Sequence, residues 1–291
     1  MVSQKGGWLN PDSPEIFLRF VKRVVEEFSG KVSFWVTINE PIVYAYHAYA
    51  LGVWPPQEKS FRKTEIVIDN LFAAHTKAYR SIHDIYREKG SSSPYVGFAK
   101  NVQAFYPCIP TLRNKIAVKI RHSYYNMNFI EKALRLGALD FIGINYYSRS
   151  LVETKNWTPA SLAIDVCPGG HSKLKKNSLG WDIYPEGFYS LLMNFKKYNL
   201  PIFILENGIC TDDDSLRWDF IRDHLLKVGL AMQDGVKVMG YIYWSLIDNY
   251  EWDKGFAPRF GLIDVNYRTF ERKIRESAKL FGEVIKAGAL E

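Results

Sequence analysis

Apolar positions along this chain fall into two alternating patterns. Phe17, Phe20, Val21, Val24, Val25 and Phe28 recur at the spacing of one helix face, and "DSPE" (Asp12 to Glu15) ahead of them supplies an N-cap with Glu15 three residues on and Pro14 in the first turn. Gly30 closes that helix, and "VSFWVTIN" follows as a short apolar run rich in β-branched and aromatic residues, the composition of a strand. The alternation then repeats. A helix from Thr64 to Lys89 leads into "YVGFAKNV", one through "SYYNMNFIEKALRLG" into "LDFIGINYY", "YPEGFYSLLMNFKKY" into "LPIFILEN", and "WDFIRDHLLKVGLAMQDG" into "VMGYIYWSL", before a last helix, "RKIRESAKLFGEVIKAG".

Near-continuous apolar strands are buried on both faces, and strands that alternate with helices require parallel crossovers, so the class is α/β. An open nucleotide-binding sheet is disfavoured, because no strand is followed by a Gly-rich phosphate loop. Polar residues gather instead where strands end: Asn39 and Glu40, Asn145 and Tyr147, Glu206 and Asn207, Trp244. That is the habit of a (β/α)8 barrel, whose chemistry sits at the C-terminal ends of its strands.

Composition narrows the function classes. With 291 residues, 47% of them hydrophobic, the chain can bury a substantial core. The net charge of +7 raises the question of nucleic acid, but the densest basic stretch, "HSKLKKN" (His171 to Asn177), carries no interleaved aromatics and reads as a solvated loop. No uncharged apolar run reaches the roughly 20 residues of a membrane span, and the opening "MVSQKGGWLN" lacks the apolar centre of a secretory signal, so a cytoplasmic protein with no membrane contact is expected. Cys108, Cys167 and Cys210 are odd in number, far apart and without metal or redox spacing, and are expected to be unpaired thiols. His47, His75, His83, His122 and His224 fall on or near helices without ligand spacing and read as surface or internally bonded groups. Neither a metal nor a cofactor is called for. Aromatic residues, at 15%, suit stacking on sugar faces and core filling equally.

Glu40 and Glu206 close the first and fourth of these strands. Two carboxylates at strand ends of one barrel offer the pair that glycosidic cleavage needs. One protonates the leaving oxygen; the other attacks the anomeric carbon or activates water, and a separation of about 5 to 5.5 Å means a covalent intermediate and retained configuration. An ionised Glu206 nearby disfavours the anion of Glu40, which suits a proton donor. Once Glu206 is esterified the repulsion disappears and Glu40 can act as base.

Taken in order, "TINEP", "FIGINYYS", "ILENGI" and "WSLIDNYEW" resemble the signatures of glycoside hydrolase family 1, the retaining β-glucosidases and β-galactosidases, from near Gly6 to the C-terminus. The resemblance implies Glu40 as acid/base and Glu206 as nucleophile. It implies that Asn39 holds the sugar 2-hydroxyl, that Tyr147 hydrogen-bonds the nucleophile with Asn145 nearby, and that Trp244 is the platform under the glycone. Glu251 and Trp252 would read its O4 and O6 hydroxyls, and Trp181 in "GWDIYPEG" would form an aglycone wall. Tyr146 reads as packing. The retained Glu-Trp of "NYEW" implies a neutral rather than 6-phosphorylated glycone, and retention of Glu40 separates the chain from plant thioglucosidases, which carry Gln there.

Family members normally begin with three further strand-helix units, which hold additional sugar contacts. Met1 here lies just before the helix that follows the third strand, so the expectation is a single domain over residues 1–291, a truncated (β/α)8 TIM-type barrel of about five parallel strands. Open strand edges and an exposed apolar interior favour a homo-oligomer that covers them. The expected partner is a small β-glycoside substrate, and no nucleic acid. Two rival readings stay open: a sugar-binding or scaffold protein with impaired catalysis, and one half of a split glycosidase.

Overall fold

The structure, a computed structural model, describes residues 6–158, 161–162, 166–167 and 172–290. In chain order it runs through α1 (Ser13–Phe28), β1 (Phe34–Asn39), α2 (Pro41–Ala45), α3 (Phe61–Glu88), β2 (Tyr95–Pro107), α4 (Leu112–Arg121), α5 (Asn128–Arg135) and β3 (Ile142–Val152). It continues with α6 (Pro185–Lys196), β4 (Ile202–Asn207), α7 (Asp214–Gln233), β5 (Val238–Tyr243), β6 (Ile263–Val265), β7 (Arg272–Ile274) and α8 (Glu276–Ala287). The sheet order of the first five strands is β1-β2-β3-β4-β5, the order of the sequence, with β1 parallel to β2 and β4 parallel to β5. This is the strand-helix repeat of a TIM-type barrel, represented by five strands, as the apolar pattern predicts. No helix of the described residues is long and apolar enough to cross a membrane.

The chain forms two compact units, Met1–Asn101 with Tyr124–Gly143, and Val102–Ser123 with Ile144–Glu291. In the first, α1 buries Val21 and Val25 against Ala78, Ile82, Ile85 and Tyr86 of α3 and Val96 of β2. Asp12 occupies the N-cap of α1 as expected, but its side chain makes no capping bond; Ser60 does cap α3, accepting from the Lys63 N–H. Phe34 stands opposite Tyr95 and Val36 opposite Gly97, and the register slips before Asn39, which pairs with Ala99. That slip sits one residue before Glu40. His75 is buried, its ring nitrogens bonded to Thr37 Oγ1 at 2.8 Å and Ala138 O at 2.7 Å, the internally bonded state expected of it.

The second unit packs Phe188, Leu191, Leu192 and Phe195 of α6 as a fully buried face, and Tyr146 of β3 stacks on Phe188 with centroids 4.8 Å apart. Tyr146 is therefore core, as read from the sequence. Asp213 caps α7 through the N–H groups of Ser215 and Leu216.

Three expectations need correction or restriction. Cys108 and Cys167 are joined in a disulfide with Cα atoms 5.7 Å apart, whereas the sequence reading left them unpaired; only Cys210 remains a buried free thiol. Separation of 59 residues hides the pairing, which is created by β3: the Cys108 N–H donates to Val152 O at 2.9 Å and the Cys167 N–H to Leu151 O at 2.8 Å. The "RKI" that opens the last predicted helix is strand β7, paired with β6 so that Ile263 faces Ile274, and α8 begins only at Glu276. Long-range pairing overrides the local helical pattern there. In the basic stretch, His171 lies outside the described residues, while Lys173, Lys175 and Lys176 are exposed, as a solvated loop requires.

Candidate active site

The first unit carries Asn39 and Glu40. Asn39 is the last residue of β1 and is exposed; Glu40 is half-buried and leads directly into α2, with Pro41 at its first position. The backbone of Glu40 is left-handed, φ 48° and ψ 55°, a conformation that disfavours a side chain with a Cβ by about 1 kcal/mol or more. Its N–H is tied to Ala99 O at 2.8 Å, so β2 helps to hold this turn. The carboxylate is held as well: Asn101 Nδ2 donates to Glu40 Oε1 at 3.1 Å, and Tyr125 OH donates to Asn101 Oδ1 at 2.8 Å. Tyr125 is raised well above the ordinary phenol range by burial, with the charges of Glu40 and Tyr46 adding to it, so it stays a protonated donor.

Beside this pair lies Lys100, wholly buried, its ammonium 4.0 Å from the centroid of the Tyr125 ring and donating to Asn101 O. Burial pulls the amine down to about 7, and the Glu40 charge opposes that fall.

The second unit carries the other sequence-derived residues. Glu206 is half-buried at the end of β4, and Tyr147 on β3 donates its phenol proton to Glu206 Oε2 at 2.5 Å. The next residue, Asn207, is buried: its Nδ2 donates to Tyr146 O at 2.7 Å and its Oδ1 accepts from Tyr241 OH at 2.7 Å. Strands β3, β4 and β5 thus lock the strand end that presents Glu206. Gly208 follows because only glycine fits: a Cβ there would lie 1.9 Å from Trp244 O. Asn145 is buried on β3, on the strand that bears Tyr147.

Trp244 is half-buried just past β5, and its indole N–H donates to Glu251 Oε1 at 3.2 Å, so two residues seven apart in sequence share one contact. Trp252 is exposed and, like Glu40, left-handed at φ 49°. Trp181 is partly exposed and meets Tyr147 edge-on at 6.0 Å and Phe260 at 6.3 Å. Trp181, Tyr147 and Glu206 therefore belong to one cluster, and Trp244 with Glu251 to a second contact in the same unit.

Several residues escaped the sequence reading. Asp248, in the motif that ends with Glu251 and Trp252, is buried and accepts from the Gly261 N–H at 2.7 Å and from Arg275 at 3.1 Å, with Arg259 at 3.3 Å. Burial opposes ionisation of Asp248, but the Arg275 and Gly261 hydrogen bonds prevail and hold it below the ordinary carboxylate range. It anchors the loop that presents Glu251. Lys100, Asn101 and Tyr125 were also missed; the available signal was a lysine and an asparagine inside the otherwise apolar strand "YVGFAKNV".

The chain as a whole has relatives among known proteins. The model of glycosyl hydrolase family 1 matches residues 1–139 and 114–289. A β-galactosidase of Sulfolobus acidocaldarius is 33% identical over 311 residues, covering 98% of this chain and 61% of that protein. β-Glucosidase A of Thermotoga maritima is 30% identical over 325 residues, covering 99% of this chain and 71% of the relative. Among solved structures, a β-glycosidase from Pyrococcus horikoshii superposes with a TM-score of 0.89 at 36% identity, covering 97% of this chain and 67% of its own. The T. maritima β-glucosidase in complex with glucoimidazole gives 0.88 at 29% identity, covering 99% and 72%. The chain thus spans about two thirds of the length of these relatives.

Proposed function

This chain belongs to glycosyl hydrolase family 1, and from that premise we propose that it carries the catalytic residues of a retaining β-glycosidase acting on β-glucosides or related β-glycosides. The observation that carries the reading is the strand-end Glu206 with the Tyr147 phenol on one of its oxygens. A nucleophilic carboxylate must be ionised, oriented and not too strongly solvated, and a single neutral donor on one oxygen leaves the other to attack the anomeric carbon.

In the first step Glu40 gives its proton to the leaving oxygen as Glu206 forms the glycosyl ester. In the second, Glu40 takes a proton from water, which attacks the anomeric carbon and releases Glu206. Asn39 would hold the 2-hydroxyl, Trp244 would lie under the glycone, Glu251 and Trp252 would take its outer hydroxyls, and Trp181 would flank the aglycone. The names of the relatives, β-galactosidase and β-glucosidase, support the substrate class. The reading includes self-association, supported by exposed Phe34 and Val36 on β1 and Met239 and Ile242 on β5, the first and last strands in the sheet order.

The test is Glu206→Gly with an activated aryl β-glucoside. Loss of hydrolysis, with partial rescue by azide to give the α-glycosyl azide, supports the assignment; unchanged hydrolysis overturns it.

A further inference from the structure

We propose that Lys100 is a positioning residue for Glu40: its buried side chain braces the Asn101 and Tyr125 clamp on that carboxylate, and its positive charge favours the ionised form of Glu40. This rests on the reading of Glu40 as acid/base and adds a group which that reading does not contain.

A lysine in the middle of a strand with no exposed surface is unusual, because burying an ammonium is unfavourable unless nearby groups compensate it. Among the described residues no carboxylate forms an ion pair with Lys100. Its contacts are instead the two members of the clamp: the Asn101 carbonyl, to which Nζ donates, and the face of Tyr125 at 4.0 Å. Those contacts act on Glu40 through one route. Tyr125, half-buried and neutral, donates to Asn101 Oδ1, which fixes the amide with Nδ2 toward Glu40 Oε1. A side chain that pins both the Asn101 backbone and the Tyr125 ring therefore sets the direction from which Glu40 is held.

The charge acts in parallel. The groups that face this cluster are Glu40 beyond β1 and Tyr125 before α5, with Tyr46 beside Tyr125, and Glu40 supplies the charge that opposes the fall of the Lys100 amine. Coupling is reciprocal: if the Glu40 carboxylate favours the protonated lysine, the protonated lysine favours the Glu40 carboxylate to the same extent. Lys100 would then assist the second step of the proposed cycle, in which Glu40 must be an anion.

Titration of the Glu40 carboxyl carbon by NMR, in the full chain labelled with 13C-glutamate, tests this without reference to activity. The resonance is identified by its absence in Glu40→Gln. In folded Lys100→Met, removal of the cation should raise the Glu40 pKa by about one unit. An unchanged Glu40 pKa, or lower thermal stability with no change in titration, overturns the proposal. If Lys100→Met does not fold, the reciprocal measurement decides: the Lys100 Nζ pKa, read by 15N NMR, should fall in Glu40→Gln, and no fall overturns it. Hydrolysis that survives Glu40→Gln would instead refute the acid/base reading while leaving this coupling measurable.

Discussion

Tyr147 on β3 and Glu206 on β4 are joined by a phenol-to-carboxylate hydrogen bond of 2.5 Å, and the same phenol ring sits edge-on to Trp181 at 6.0 Å. Deleting the hydroxyl while keeping the ring isolates the bond. In Tyr147→Phe, kcat/KM on an aryl β-glucoside should fall about 10- to 100-fold, the range for a hydrogen bond to a charged group, with little change in unfolding midpoint. Steady-state kinetics with a parallel denaturation curve checks both halves.

The Trp244 and Glu251 contact ties a flat ring to a hydrogen-bonding carboxylate, and in the proposed site these two groups would read one sugar. If Glu251 holds substrate hydroxyls as proposed, Glu251→Ala should reduce kcat/KM for β-glucosides and β-galactosides by about 100-fold or more, because those hydroxyls lose a charged partner. A comparison of the two aryl glycosides measures it.

The strands and the strand-end residues were legible in the sequence for one physical reason. Each strand is a near-continuous apolar run, so a Glu or Asn at the end of such a run stands out, as with "FILEN" and "VTINE". Groups whose meaning depends on long-range neighbours were not legible. Lys100 gains its partners from Tyr125, outside its own strand, and Asp248 gains Arg259 and Arg275 from segments beyond its motif. Cys108 and Cys167 meet only because both chain segments hydrogen-bond the end of β3.

The disulfide is testable by itself, and such bonds persist mainly in oxidising compartments. Reduction, or Cys108→Ala, should destabilise the second unit by about 2 to 4 kcal/mol, as expected for a closed loop of this order. Thiol counting under denaturing, non-reducing conditions should find one reactive group, Cys210. Three would contradict the pairing.

His75 and His224 predict an acid-side loss of stability. Burial pulls His75 down to about 4 from 6.5, against the Ala138 carbonyl and Asp140, and pulls His224 down to about 3 against the Phe220 carbonyl. The unfolded chain therefore binds protons that the folded chain refuses. The stability each contributes is complete above pH 6.5 and is lost as pH falls toward the folded value, about 3 kcal/mol for His75. Denaturant midpoints measured from pH 7 to 4 should fall, and the fall should be shallower in His75→Asn.

The central claim is that Glu206 is the nucleophile of a glycosyl-enzyme whose departure Glu40 assists. It is tested most directly by incubating the full chain with an activated 2-deoxy-2-fluoro-β-glucoside and mapping the labelled peptide by mass spectrometry. The account predicts one equivalent of fluoroglycosyl ester, on Glu206, released slowly by water and more slowly still in Glu40→Ala. Labelling at another residue, or turnover of the parent glucoside without an ester at Glu206, would contradict it.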